Sequence, residues 1–338
     1  MPGLRCVPAP ARAATLRHIV LRVLPALLAL CVSLAAAPAR AQSVLARIHE
    51  RGAVQCGSVE RPALAQPQPS GQWAGVFVDI CRAVATAVLG APERIVFRGY
   101  VSEADFDRVR SGSDDLVFLT GAEINAHALA GVVLPGPNVY IARNAVMIPG
   151  GAPQQHLHEL EGSGICFLSG ASAERALESW FDEHGVAWLH HPYSEDGEMV
   201  DAYAAQRCHA IAGEATQLAK ERGYPGARRL ASRILPEALD RFPIIAATPT
   251  QDGRWAAVVG WTVNTLVNGA RPESKWYAGG AGAMPLAAPE LGLARGWQER
   301  VLAATGNYRA IVARHLAGDS GQEPESPDAG ALLLPYVE

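Results

Sequence analysis

The run Gly71–Gln72–Trp73–Ala74–Gly75–Val76–Phe77–Val78–Asp79–Ile80–Cys81–Arg82–Ala83 constrains this chain most. A turn and an aromatic residue lead into a short strand, which hands over to a helix with Ile80, Val84, Ala87 and Val88 as apolar positions. The same alternation continues on both sides. Ser43–Glu50 reads as a helix, and strands are expected at Ala53–Gly57, Arg94–Phe97 and Asp115–Leu119, the last two separated by a helix over Glu103–Ser111. Ala145–Pro149 reads as a further strand, after which the order restarts. Strand Gly164–Leu168, helix Ser172–His184, strand Val186–His190, helix Met199–Gln206 and strand Cys208–Ala212 follow one another. Alternation at this spacing predicts parallel sheets with crossover helices, and its repetition predicts two α/β lobes. Phe242–Ala247 would carry the chain back towards the first lobe, and Trp255–Asn268, Glu299–Ala304 and Tyr308–Leu316 read as helices.

The first 41 residues have the build of an export signal. Arg5, Arg12, Arg17 and Arg22 precede an apolar stretch from Val23 to Ala37, and Ala39–Arg40–Ala41 supplies a small-x-small site, so cleavage is expected after Ala41. Five of the 29 basic residues and none of the 33 acidic ones lie in that segment, which leaves residues 42–338 near −9. Such a charge argues against nucleic acid or an anionic membrane surface as partner. The expected divisions are a signal at 1–41, lobe one at 42–145, lobe two at 146–243, and a return to lobe one with C-terminal helices at 244–318. A Gly/Glu/Ser/Pro-rich tail at 319–338 is expected to be disordered.

Four cysteines remain after the signal: Cys56 and Cys81 in the first lobe, Cys166 and Cys208 in the second. An even number in an oxidising compartment suggests disulfides, and pairing within each lobe is the economical choice among three. Six of the ten histidines fall in lobe two, but His156, His158, His190 and His191 lie on different elements without further ligands, so no metal is expected. No nucleophile elbow, P-loop, dinucleotide fingerprint or HExxH motif occurs, so neither an enzyme nor a cofactor is expected.

From about Val44 to Gly318 the chain resembles the amino-acid-type (family 3) periplasmic solute-binding proteins of ABC importers, in particular general L-amino-acid-binding components. The resemblance is carried by the Gly71–Ala83 run, Gly164–Ile165–Cys166, Gln206–Arg207–Cys208, Trp255 through Gly269, and Thr305–Gly306–Asn307–Tyr308. It implies a type II periplasmic-binding fold: two α/β lobes joined by two crossing strands that close on a solute by hinge motion. It also implies an inner-membrane ABC permease as partner, a small-molecule solute, a monomer and a periplasmic location.

The pocket positions depart from the family's pattern. Relatives carry T-x-W-T-x-x-R-D, whose arginine grips the α-carboxylate; here Thr120–Gly121–Ala122–Glu123–Ile124–Asn125–Ala126–His127 puts His127 at that position. In lobe two, C-V-Q-A-G-T-T-T-E becomes Cys166–Phe167–Leu168–Ser169–Gly170–Ala171–Ser172–Ala173–Glu174, and the ammonium-binding aspartate maps to Glu214. Losing a charge-assisted fork costs on the order of 2–5 kcal/mol, so ordinary α-amino acids are expected to bind weakly. His127 is a ligand contact or an exposed loop histidine, and Glu214 a cleft residue or a helix cap. Thr120, Glu123, Ser169 and Ser172 are candidate polar partners, and Arg61 is a candidate replacement cation. The leading reading is a solute-binding protein for an atypical small polar or zwitterionic solute. The alternative is an accessory or sensor protein that kept the fold and lost amino-acid binding.

Overall fold

The computed structural model describes residue 3 and residues 42–223, 230–269 and 288–316. The expected signal and the tail at 319–338 lie outside the described residues, apart from residue 3. Helix α1 (Val44–Arg51) opens on Ser43, whose hydroxyl accepts from the Ala46 N–H, and buries Val44, Leu45 and Ile48 on one face. Strand β1 (Val54–Val59) runs into the loop that carries Arg61.

Helix α2 (Val76–Leu89) begins earlier than the sequence suggests. The strand before it is only Trp73–Ala74, paired with Gln66–Pro67. Gly75 ends it at φ +133, a conformation L side chains rarely adopt, and a Cβ there would sit 2.3 Å from the Leu64 carbonyl oxygen. The N–H groups of Val76 and Phe77 then donate to the carbonyls of Ala63 and Leu64, so the helix N-terminus is pinned to the Arg61 loop.

The rest of lobe one comprises β2 (Ile95–Tyr100), β3 (Leu116–Thr120) and the short helix α3 (Gly121–Ala126). Strand β4 (Asn138–Ile148) begins seven residues before the expected Ala145 and leads into lobe two. There β5 (Gly164–Leu168), α4 (Ser172–His184), β6 (Leu189–Tyr193), α5 (Asp196–Ala204), β7 (Ala210–Glu214) and α6 (Ala215–Arg222) follow. Strand β8 (Asp240–Pro249) returns the chain to helices α7 (Gly253–Asn268), α8 (Trp297–Thr305) and α9 (Tyr308–Leu316). Strand β6 starts three residues later than read, because Gly185 ends α4 in the left-handed region and Gly164 registers against Leu189.

The strand order β2-β1-β3-β8-β4-β7-β5-β6 explains the two lobes. β2, β1 and β3 are parallel, as are β7, β5 and β6, while β8 and β4 lie antiparallel between these two sets. The first half of β8 pairs with β4 and its second half with β3; β4 pairs with β8 first and then with β7. β8 is therefore bonded to the first set and β4 to the second, and their pairing with each other joins the two. This is the type II periplasmic-binding fold.

Each set has apolar cover on both faces. In lobe one Phe77 stacks on Phe118 with centroids 4.8 Å apart, among Ile80, Trp255 and Trp297. Asp115 lies at the edge of this core beside the Gln55 N–H and Arg51, and burial pushes its carboxyl up to about 6 despite them. In lobe two α4 supplies Leu177 and Phe181 to one face, and Val200 and Tyr203 of α5 pack on the other. Disulfides Cys56–Cys81 and Cys166–Cys208 tie β1 to α2 and β5 to the loop before β7.

Candidate functional site

A crevice of about 1120 Å³ runs between residues of the two strand sets. Lobe one contributes Arg61 and the α3 segment Thr120–Glu123 with Ala126; lobe two contributes Glu214 and one face of α4; Asp240, Phe242 and Pro243 come from β8. This is the location expected for α/β sheets, beyond the carboxyl ends of the parallel strands.

Arg61 is the centre of the arrangement. It is only 7% exposed, and its backbone is fixed by two hydrogen bonds: its N–H to the Ala65 carbonyl and the Ala65 N–H to its own carbonyl, both 2.8 Å. Ala63 inside that turn sits at φ +61, a strained position for a residue with a Cβ. Nη2 donates to Oε1 of Glu123 at 2.7 Å, and Nε faces Oε2 of Glu214 at 3.5 Å. The ion-pair chain Glu123–Arg61–Glu214 thus crosses from one lobe to the other. Burial opposes the charge on Arg61, but the two carboxylates outweigh it and hold its pKa above the ordinary value. Nε and Nη1 nevertheless lack hydrogen-bond acceptors. Buried guanidinium donors are rarely left so, because their desolvation is then uncompensated.

Glu123 and Thr120 form a reciprocal cap at the start of α3. The Glu123 N–H donates to Thr120 Oγ1 at 3.1 Å, and the Thr120 N–H donates to Glu123 Oε2 at 2.8 Å. Glu123 therefore spends one oxygen on the helix and the other on Arg61. Glu214 precedes α6 and accepts from the Thr216 hydroxyl at 3.1 Å. Burial raises its pKa, with Arg61 pulling the other way. Ser172 lines the crevice as well, its hydroxyl donating to Asn144 Oδ1 at 3.2 Å. Asn144 is fully buried where β4 changes partner, pairing with both Asp240 and Glu214.

Two of the sequence-selected residues lie elsewhere. Ser169 is exposed beyond β5 and is not among the lining residues; its N–H donates to the Tyr193 carbonyl. His127 closes the end of α3 and turns away from the crevice. Its ring stacks on Phe106 at 3.6 Å, its Nδ1 lies 2.6 Å from Glu103, and Arg110 donates to its carbonyl. The physical reason is its partners: His127 ends the helix at φ −99, and Phe106, Glu103 and Arg110 hold its ring and carbonyl on the lobe-one surface. The residues that sequence reading passed over are Arg175, Ser179, Trp180 and Glu183, which line the crevice from α4. Their three- and four-residue spacing was the available signal.

Among the described residues no cluster of His, Cys, Asp or Glu is arranged to hold a metal, and no helix is long and apolar enough to cross a membrane.

No family model matches the chain. Curated relatives do. The chain is 27% identical over 321 residues to the general L-amino acid-binding periplasmic protein AapJ of Rhizobium johnstonii, spanning 88% of this chain and 92% of that one. It is 27% identical over 305 residues to the glutamate/glutamine/aspartate/asparagine-binding protein BztA of Rhodobacter capsulatus, spanning 86% and 81%. A solved ABC transporter periplasmic binding protein from Brucella ovis, with glutathione bound, superposes with a TM-score of 0.67 at 25% identity, over 83% of this chain and 92% of that one. The Campylobacter jejuni cysteine-binding protein shares the fold at a TM-score of 0.52 and 14% identity. With two lobes, two crossing strands and a charged crevice between them, the chain has the type II periplasmic-binding fold and is similar over most of its length to amino-acid-type periplasmic solute-binding proteins of ABC transporters.

Proposed function

We propose that the protein is exported by residues 1–41, cleaved after Ala41, and works as a monomer that carries an amino-acid-like zwitterion to an inner-membrane ABC permease. The observation that carries this reading is the pair of unsatisfied donors on Arg61, a guanidinium 7% exposed in the crevice. Nη1 accepts the task that the family assigns to an arginine at the position of His127: it donates to the solute carboxylate. The cationic end of the solute goes to the crevice carboxylates, Glu214 first, since Glu123 is already spent on Thr120 and Arg61. Because the anion anchor comes from a different loop than in relatives, specificity differs from theirs. Closure takes place about the shared strands β4 and β8, and the closed surface docks on the permease.

The relatives' cargo supports a zwitterion: AapJ and BztA bind amino acids by their names, and the Brucella ovis protein holds glutathione. A second reading draws on the Arg61–Glu214 ion pair, which joins the lobes through the protein's own side chains; a protein latched in this way would present a fixed shape to a partner. Thermal unfolding of residues 42–338 with each common L-amino acid and with glutathione at 1 mM separates the two. A micromolar ligand contributes about 4 kcal/mol, or a rise of roughly 5–10 °C for a chain of this size. No rise with any of them supports the fixed-shape reading instead.

A further inference from the structure

The lining residues of α4 are Ser172, Arg175, Ala176, Ser179, Trp180 and Glu183. They fall at offsets of three and four and so form one unbroken stripe on one helix face, about 16 Å long at ~1.5 Å per residue. A free amino acid is one residue, at most ~3.6 Å of extended chain. Seated on Arg61, it would leave most of that wall against water. The crevice, at about 1120 Å³, also lies above the usual ~300–1,000 Å³ of sites that enclose a drug-sized ligand.

The stripe is polar in an ordered way. Arg175, in the first turn, is exposed and makes no hydrogen bond or ion pair among the described residues. Glu183, two turns on, has one carboxylate oxygen bonded to the Ser179 hydroxyl at 3.0 Å. Between them lies Trp180, partly buried, its ring held by stacking on His184 at 4.0 Å. A cation and an anion thus stand about 12 Å apart on one face, with a flat apolar surface between. The termini of an extended tripeptide are separated by roughly 10 Å. The charges of one amino acid cannot meet both ends.

We infer that the crevice takes a short linear peptide with free termini, laid along α4 with its carboxylate at Arg175 and its ammonium at Glu183. The inference rests on the solute-binding reading, adds length and direction to it, and moves the ammonium from Glu214, which suits a one-residue solute, to Glu183. Trp180 covers the middle residue, and Arg61 supplies a guanidinium from the opposite wall for the same anionic end.

The test is calorimetric titration of residues 42–338 with L-alanine, trialanine, N-acetyl-trialanine and trialanine amide. Trialanine is expected to bind at least tenfold more tightly than alanine, and blocking either terminus is expected to remove most of that gain. In Arg175→Gln the amide and the free acid bind alike, while N-acetylation still costs affinity; in Glu183→Gln the pattern reverses. Neither substituted side chain is buried in a core, so both variants are expected to melt with the parent. If alanine binds as tightly as trialanine, or if Arg175→Gln weakens both equally, the peptide inference falls and the amino-acid reading stands. If neither alanine, trialanine nor any amino acid binds, both fall.

Discussion

Replacing Arg61 with alanine is expected to weaken solute binding by two to three orders of magnitude, while His127→Ala changes it less than twofold. The first effect has two sources. A charge-assisted contact to a buried carboxylate is worth on the order of 2–5 kcal/mol, most of it the cost of leaving the partner charge unpaired. In addition, Glu123 and Glu214 lose the cation between them and face one another as like charges across the lobes. Arg61→Lys keeps the charge but offers no planar fork, and is expected to recover only part of the loss. His127 is committed to Phe106 and Glu103, so its removal disturbs the lobe-one surface and not the crevice. Calorimetric titration with whichever solute raises the melting temperature most measures all three variants. A greater loss in His127→Ala than in Arg61→Ala would return the carboxylate to the position the family pattern suggests.

Reduction of the two disulfides is the second large effect. Cys56–Cys81 closes a loop of 25 residues and Cys166–Cys208 one of 42. Chain-entropy arguments give about 3.5 and 4 kcal/mol for loops of these lengths, as an upper range because unfolded chains keep some order. For a chain near 300 residues the sum corresponds to a fall of roughly 10 °C in Tm. The two bridges also differ in what they hold. Cys56–Cys81 fastens β1 to α2, and the Arg61 loop runs between those two elements, with its Ala63 and Leu64 carbonyls on the α2 N-terminus. Loss of Cys56–Cys81 is therefore expected to weaken solute binding as well as stability, whereas loss of Cys166–Cys208 lowers stability alone. Calorimetric scans and titrations of the double Cys→Ala variants check both points; equal effects of the two pairs on affinity would show that the loop needs no such fastening.

The strand and helix alternation was enough to read two α/β lobes, because strands buried on both faces and amphipathic helices leave a periodic trace, while the type II topology was implied by the family resemblance. Boundaries drifted where a cap or a pairing partner decided them. Gly75 ends a strand that its flanking Val and Phe would otherwise continue, and β4 starts at Asn138 because β8 is there to pair with it. The crevice was less legible. Thr120-x-x-Glu123 is a capping box in the sequence, yet it sits where family members place ligand contacts, and the functional reading masked the local one. Arg61 was visible only as a loop arginine; its burial depends on the turn at Ala63 and on carboxylates 62 and 153 residues away. The α4 stripe was present in the three- and four-residue spacing, but which face of a two-faced helix meets a crevice is set by the sheet beneath it.

A co-crystal structure with the solute that most raises the melting temperature tests the central claim most directly. The account predicts electron density between the lobes, with a carboxylate within hydrogen-bonding distance of Arg61 Nη1 and the cationic end against a crevice carboxylate. A solute bound outside the crevice, or one whose carboxylate meets His127 while Arg61 keeps its present contacts, would contradict it.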